Sequence, residues 1–407
     1  MVTAKFAMKL FEAFSIQRWT DLARPVEFIE MDKAAEKMAV AYILGKFEEN
    51  NGITIDWDWI ISSSLFDLCR KIALCDIKSP VQRMIRSEYP EEYKRLNKWV
   101  VDQYKDYFSD SCLYDSFCKY VLRDVPSVAK QTPTEHVLQA AHKYSAYREF
   151  EMLSVVNEPD RLLVVEKQLN ADIQQYLDLE GLRLLITKQR PYEFVLMIEK
   201  LRFQTRWNQT PRVPGTTVLG HSYYVAVLSM LLSRQPTIEM CPKRRFNNFF
   251  SALFHDLPEA VTRDIISPVK QATDGFPSIV KKIEDEIVKS ELEPLMEPFF
   301  ADELSYFTND EFDNRILLEG AKDAMPIRGV SFEDLNKKYN EDVFSPVDGK
   351  LVRCADHISA FVEADSSIKH GITSKHLQSG RENILNMYPA GKKINGFSPS
   401  DFFADFL

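Results

Sequence analysis

The chain has 407 residues, 45% hydrophobic and 27% charged, which is the composition of a folded globular protein and excludes wholesale disorder. At about 150 residues per domain, that length predicts two or three domains. A formal net charge of −9 argues against binding long nucleic acid as the main task, which calls for a basic surface, while leaving room for a pocket that takes one small phosphate ester.

From the N-terminus, MVTAKFAMKLFEAFSIQRW lacks the apolar core and cleavage site of a signal peptide. No later apolar run approaches the roughly 20 residues of a membrane span. These features predict a cytoplasmic protein with no membrane partner. Cys69, Cys75, Cys112, Cys118, Cys241 and Cys354 form no CxxC pair, so neither a zinc ribbon nor a disulfide scaffold is expected, only reduced and mostly buried thiols. Glycine is scarce, and apolar stripes at helical spacing alternate with short Pro, Asn or Ser punctuation, which predicts an all-α fold.

The chain also resembles itself at a shift of 188 residues. Arg18-Trp19 falls on Arg206-Trp207, Arg24 on Arg212, Leu65-Phe66 on Leu253-Phe254, Asp76-Ile77 on Asp264-Ile265, and Ser79-Pro80-Val81 on Ser267-Pro268-Val269. The offset needs no gap, so two tandem helical bundles are expected, residues 1–188 and 189–407. Each is long enough to enclose its own core, with the two packed face to face. Within the first, His136 and His142 are six residues apart and face different sides of a helix, which predicts a helical interface rather than a metal pair.

The second copy opens on Arg206-Trp207 and continues into a helix over Leu219 to Arg234. There Tyr224, Val225, Leu228, Leu231 and Leu232 form one apolar face, and His221 lies on it. Phe254-His255-Asp256-Leu257-Pro258-Glu259 then ends another helix, since proline is tolerated only in a first helical turn, and the break leaves His255-Asp256 at a helix end. Asp264 follows nine residues after His255, Ser267-Pro268 reads as a helix start, and Ala355-Asp356-His357 lies within a late helix. The stretch from Gln271 to Asp348 between them suggests a lid or a subunit contact.

The order H…HD…D in these residues resembles the HD-domain superfamily, and the fuller pattern RW…GHS…HDLPE…D-I-x-S-P-V-K…AD resembles its 5'-deoxynucleotidase branch, across residues 206 to about 363. The resemblance implies that His221, His255, Asp256 and Asp356 meet on one divalent ion. Their mixed nitrogen and oxygen set suits Mn, Co, Fe, Ni or Zn and leaves coordination positions open. Binuclear relatives need further histidines between the HD pair and the last aspartate. None occurs between His255 and His357, so a mononuclear site is expected.

The resemblance further implies that Glu259 is the general acid/base beside Asp256, that Arg206 clamps phosphate, that Trp207 walls the sugar, and that Asp264 and Ser267 complete a nucleotide site. Trp207 as plain core and Ser267 as a helix cap are the structural alternatives. At the same offset the first copy has Lys33 for His221, Asp67 for His255, Leu68 for Asp256, Lys71 for Glu259 and Gln168 for Asp356, so it lacks the ligand set. Its retained Arg18, Trp19, Asp76, Ser79 and Pro80 suit either a nucleotide sensor or a structural role. The implied activity is release of phosphate from a deoxynucleoside monophosphate. A nucleoside triphosphate or alarmone hydrolase and a non-catalytic nucleotide-binding regulator are the alternatives, and a homo-oligomer is left open.

Overall fold

The computed structural model describes residues 2–234, 238–263, 273, 275–318 and 325–406. The fold is all-α, as expected, with one small antiparallel sheet. Two long helices, Glu30–Asn50 and Val218–Ser233, lie against each other at the centre. Every residue of Val218–Ser233 is buried, and its sequence VLGHSYYVAVLSMLLS is apolar almost all round, as a helix enclosed by others must be. Pro242–Phe254 and Gly349–Lys369 pack on it, while Pro133–Ser154 packs on Glu30–Asn50.

The close approach of the two central helices explains Gly220. A Cβ there would sit 2.6 Å from the Asp32 carboxylate and 2.8 Å from the Phe14 ring, so any side chain would push the helices apart. Aromatic packing extends the seam: Tyr42 lies 5.0 Å from Phe250 and 5.2 Å from Phe254 between ring centroids. The main apolar cluster consequently runs from Val2 to Phe406 through both halves. The two halves share one core instead of each closing its own, because each contributes a central helix to the other's interior.

Among the described residues, the segment after the HD turn carries regular structure. Helices Phe276–Ile287 and Pro298–Thr308 precede a three-stranded sheet of Asn314–Ile316, Ile327–Arg328 and Val347–Asp348, with Arg315 opposite both Arg328 and Val347. Asp348 ends that sheet and is fully buried. It accepts from Arg244 at 2.6 and 2.7 Å and from Asn248 at 2.8 Å, which fixes the start of the Gly349–Lys369 helix against Pro242–Phe254.

Among the described residues no helix is long and apolar enough to cross a membrane. All six cysteines are free. Cys69 and Cys354 are buried, but Cys75 and Cys112 are exposed, which corrects the expectation of mostly buried thiols: both sit at helix ends where the chain turns to the surface.

Several backbone features recur at the 188-residue spacing. Gln17 pairs with Ile29 and Thr205 with Thr217 in isolated antiparallel bridges. Trp19 and Trp207 have φ of 56° and 54°, and Cys75 and Arg263 have φ of 55° and 63°. These are left-handed conformations that side chains other than glycine adopt rarely.

Candidate metal centre

The bridge between Thr205 and Thr217 draws Arg206 up to the start of the Val218–Ser233 helix, with Arg206 N–H donating to the Thr216 carbonyl at 3.0 Å. Thr217 caps that helix, its hydroxyl accepting from Gly220 N–H at 2.9 Å. His221 therefore enters in the first turn and is fully buried. His255 caps the C-terminal end of Pro242–Phe254, and the chain turns before restarting as Glu259–Thr262, so the break expected at Pro258 is present. Asp356 comes from the second turn of Gly349–Lys369.

These elements bring His221, His255 and Asp356 into one cluster whose ligand atoms lie within 4.8 Å of one another. His221 Nε2 is 3.0 Å from Asp356 Oδ1 and 3.7 Å from Asp256 Oδ2, and His255 Nε2 is 3.2 Å from Asp256 Oδ1. Ligand bonds of about 2.0–2.2 Å place neighbouring ligand atoms at such separations around one ion.

The hydrogen bonds behind the rings decide what the front nitrogens do. His255 Nδ1 lies 2.7 Å from the Ala252 carbonyl, which can only accept, so Nδ1 carries the proton and Nε2 keeps its lone pair. His221 Nδ1 lies 2.9 Å from Ser359 Oγ and 3.7 Å from Glu363 Oε1, which orients its Nε2 the same way. His221 Nε2 and Asp256 Oδ2 are both buried with no hydrogen-bond partner among the described residues. Buried polar atoms are seldom left so, and both belong to the cluster. The residues present thus fit a divalent ion.

Charge in the cluster is unbalanced. Burial opposes ionisation of Asp356, yet His221 with its Nε2 3.0 Å away, together with Arg206 and His255, holds its carboxyl far below the usual range. Burial and Arg206 oppose protonation of His221, but the carboxylates of Asp356 at 3.0 Å and Glu363 at 3.7 Å raise it above the ordinary value.

Arg206 borders the cluster, its NH1 3.7 Å from Asp256 Oδ2 and its Nε 3.3 Å from Glu363 Oε1. Trp207 is partly buried, its Nε1–H donating to Glu363 Oε2 at 2.7 Å, and its ring fills the space that Gly380 leaves open. Glu259 starts the short helix beyond the turn, near enough for its charge to act on Arg206. Asp264 and Ser267 lie outside the described residues. His357 turns away from the cluster, its Nδ1 2.8 Å from the Tyr388 hydroxyl.

Ser359 and Glu363 were not singled out from the sequence. They lie three and seven residues after Asp356 on one face of the same helix, a spacing that would have found them once Asp356 was taken as a ligand. Glu363 is fully buried and gathers Arg206, Trp207, His221 and the Thr216 hydroxyl, the last at 3.0 Å. Burial works against its charge, but Arg206, the nearby His221 imidazole and Arg212 keep it ionised well below the usual range.

Glu149 in the first half holds the matching place. Trp19 Nε1–H donates to Glu149 Oε2 at 2.7 Å and Arg18 forks onto the same carboxylate. The offset between those two glutamates is 214, not 188, because the second half carries a longer segment between its HD turn and its last core helix. At that offset Asp356 falls on His142 and Ser359 on Ser145. This corrects the assignment of Gln168, which sits on the following helix and donates to Asp172 at 2.9 Å.

In comparison with known families, residues 198–385 match the model of the HD domain, just under half of the chain. All four expected metal ligands lie within that segment. The match supports the HD-domain superfamily and, in general terms, a metal-dependent phosphohydrolase. No curated protein matches the chain.

Proposed function

We propose that the second half hydrolyses a nucleotide phosphate ester, most closely as a 5'-deoxynucleotidase releasing phosphate from a deoxynucleoside monophosphate. The observation that supports this most is the pair of imidazoles whose Nδ1 atoms are engaged from behind and whose Nε2 atoms converge on two aspartates beside one guanidinium. We assign His221, His255, Asp256 and Asp356 to one divalent ion, which when bound supplies Lewis acidity and lowers the pKa of water.

The protein's own groups supply the rest. Arg206 offers paired donors that match phosphate oxygens, and Glu363 holds its Nε so that NH1 faces Asp256. Asp256 in turn stands between the two imidazoles and that guanidinium, aligning the phosphate end of the substrate with the ion site. Glu259 takes the proton from the attacking water and returns one to the leaving ribose oxygen, as a carboxylate in reach of both can. Trp207 forms part of the wall on the sugar side, and Asp264 and Ser267 complete the nucleotide contacts.

We read the whole chain as two tandem copies of one helical bundle, residues 1–188 and 189–407, the first lacking the ligand set. The recurring bridges, the paired positive-φ residues and the Trp–Glu pairs support that reading.

Incubation with deoxynucleoside monophosphates and Mn or Co, followed by product analysis, tests the function. Inorganic phosphate released from a monophosphate is the expected result. Triphosphate or pyrophosphate from longer substrates would name a different hydrolase, and no turnover of any nucleotide would overturn the proposal. The Glu259→Gln variant is expected to lose about 10²- to 10⁴-fold in kcat while its metal content stays unchanged.

A further inference from the structure

The first half, at the position of the metal cluster, carries lysines where the second half carries metal-ligating and acidic side chains. Lys33 stands where His221 does, and its Nζ donates to the Ser145 hydroxyl and, at 2.7 Å, to the His142 carbonyl. An ammonium has three N–H donors, so one remains without an acceptor among the described residues. His142 occupies the place of Asp356, and its partly buried ring makes no hydrogen bond among the described residues. Burial, followed by the charges of Lys33, Lys143, Lys37 and Lys71, holds that ring well below its ordinary pKa, so it is a neutral donor.

Lys71, where Glu259 stands in the second half, is half-buried and has no ion-pair partner among the described residues, although its charge reaches Glu30 and His142. Lys37 and Lys143 are already held, at 3.0 Å by Asp67 and at 2.9 Å by Asp172. In the second half acids line the cluster beside Arg206, whereas here the charges of Lys33, Lys37, Lys71 and Lys143 act on the His142 ring, the acids behind Lys33, Glu30, Glu36 and Glu149, are held by Arg18 and Arg202, and Lys33 and Lys71 keep donors in reserve. A site built this way repels a metal ion and attracts an anion.

We propose that the first-half cleft binds the phosphate group of a small phosphate ester directly, with Lys33, Lys71 and His142 donating to its oxygens in place of a metal. Burial pushes the Lys33 ammonium down to about 7, a cost that an incoming dianion would offset. The bound ester would be held and not cleaved, because Leu68 and Lys71 replace the ligand and the acid that hydrolysis needs in the other half.

Calorimetry on the full-length His255→Ala protein with chelator present tests this independently of turnover, using inorganic phosphate in one titration and a deoxynucleoside monophosphate in the other. One site is expected, weakened at least tenfold by Lys71→Ala and kept by Lys71→Arg. Lys71 is on the rim, so its substitution leaves the fold intact, as a thermal melt would check. Equal affinity for the two probes would show that phosphate alone is recognised, and tighter nucleotide binding would show that sugar or base adds contacts. No binding of either probe, or binding that Lys71→Ala does not change, would overturn the proposal.

Discussion

Two regions of this molecule are built on the same supports and present different side chains in front of them. In each, a tryptophan with left-handed backbone donates its indole N–H to a buried glutamate at 2.7 Å, and an arginine next to it pairs with the same carboxylate. In each, a serine on the glutamate's helix meets the side chain that projects from the central helix. The side chains in front differ: His221, His255, Asp256 and Asp356 on one side, Lys33, Asp67, Leu68 and His142 on the other. The supporting frame is therefore separable from the chemistry it presents. A conserved-looking Arg-Trp pair reports the frame and says little about whether a metal is held.

The largest difference expected between the clefts is in metal dependence. His255→Ala is expected to abolish metal retention and turnover, a loss greater than the roughly 10–100-fold that outer-shell partners produce. Asp67→Ala, at the corresponding place, should leave metal content and turnover within about twofold, in keeping with a surface-side change away from the site. Metal analysis of the purified variants beside an activity assay checks both. If the two substitutions removed metal equally, the contrast between the clefts would be wrong.

The next effect is on stability, and the first half lets it be read without touching the metal cluster. Glu149 is fully buried and takes Arg18 at 2.9 Å and Arg202 at 3.5 Å. Breaking a buried pair from one side costs about 3–5 kcal/mol, so Glu149→Gln should lower the unfolding free energy by that order without changing metal content. Burial opposes its ionisation, but Arg18, Arg202 and Lys33 pull its folded pKa down to about 2 from 4.5. A depressed carboxylate stabilises above its unfolded pKa, and that contribution fades as pH falls from 4.5 toward 2. Denaturant melts across that window should show a shallower loss in Glu149→Gln than in the parent. A parallel loss would place the acid sensitivity elsewhere.

How much of this was visible beforehand depended on what kind of signal each residue leaves. The candidate ligands were legible because His221, His255, Asp256 and Asp356 come as short motifs in a fixed order, and the structure brings these side chains close together. The all-α class followed from periodicity. Ser359 and Glu363 were missed because a serine and a glutamate on a long helix are ordinary, and only the position of Asp356 makes their face special. Gln168 was matched to Asp356 by a constant shift that fails once the second half adds helices and a sheet before its last core helix. The shared core was not legible either, since Glu30–Asn50 buries Glu30, Asp32, Lys33, Glu36 and Lys37, and charged residues in a helix read as a solvated face until their partners are known, those of Asp32 and Glu36 coming from the other half.

The smallest effect is the most specific test of the frame. Ser359 contacts His221 through Nδ1 at 2.9 Å and touches no other ligand by hydrogen bond, so Ser359→Ala should act only through the orientation and basicity of that ring. Outer-shell contacts of this kind are worth about 10–100-fold in metal affinity. Glu363 also faces Nδ1 from 3.7 Å and can take over as acceptor, which puts the expected loss at the low end of that range. In the first half, Ser145 accepts from Lys33 and donates to the Ala141 carbonyl at 2.8 Å. Ser145→Ala should leave metal affinity untouched and weaken phosphate binding in the first-half cleft, because Lys33 would lose one of the two acceptors that aim it. Metal titration and phosphate calorimetry on the two variants give a crossed result if the clefts work separately. Equal effects on both ligands from either serine would mean that the central helices transmit strain between them, as the contact of Asp32 with Thr217 would allow.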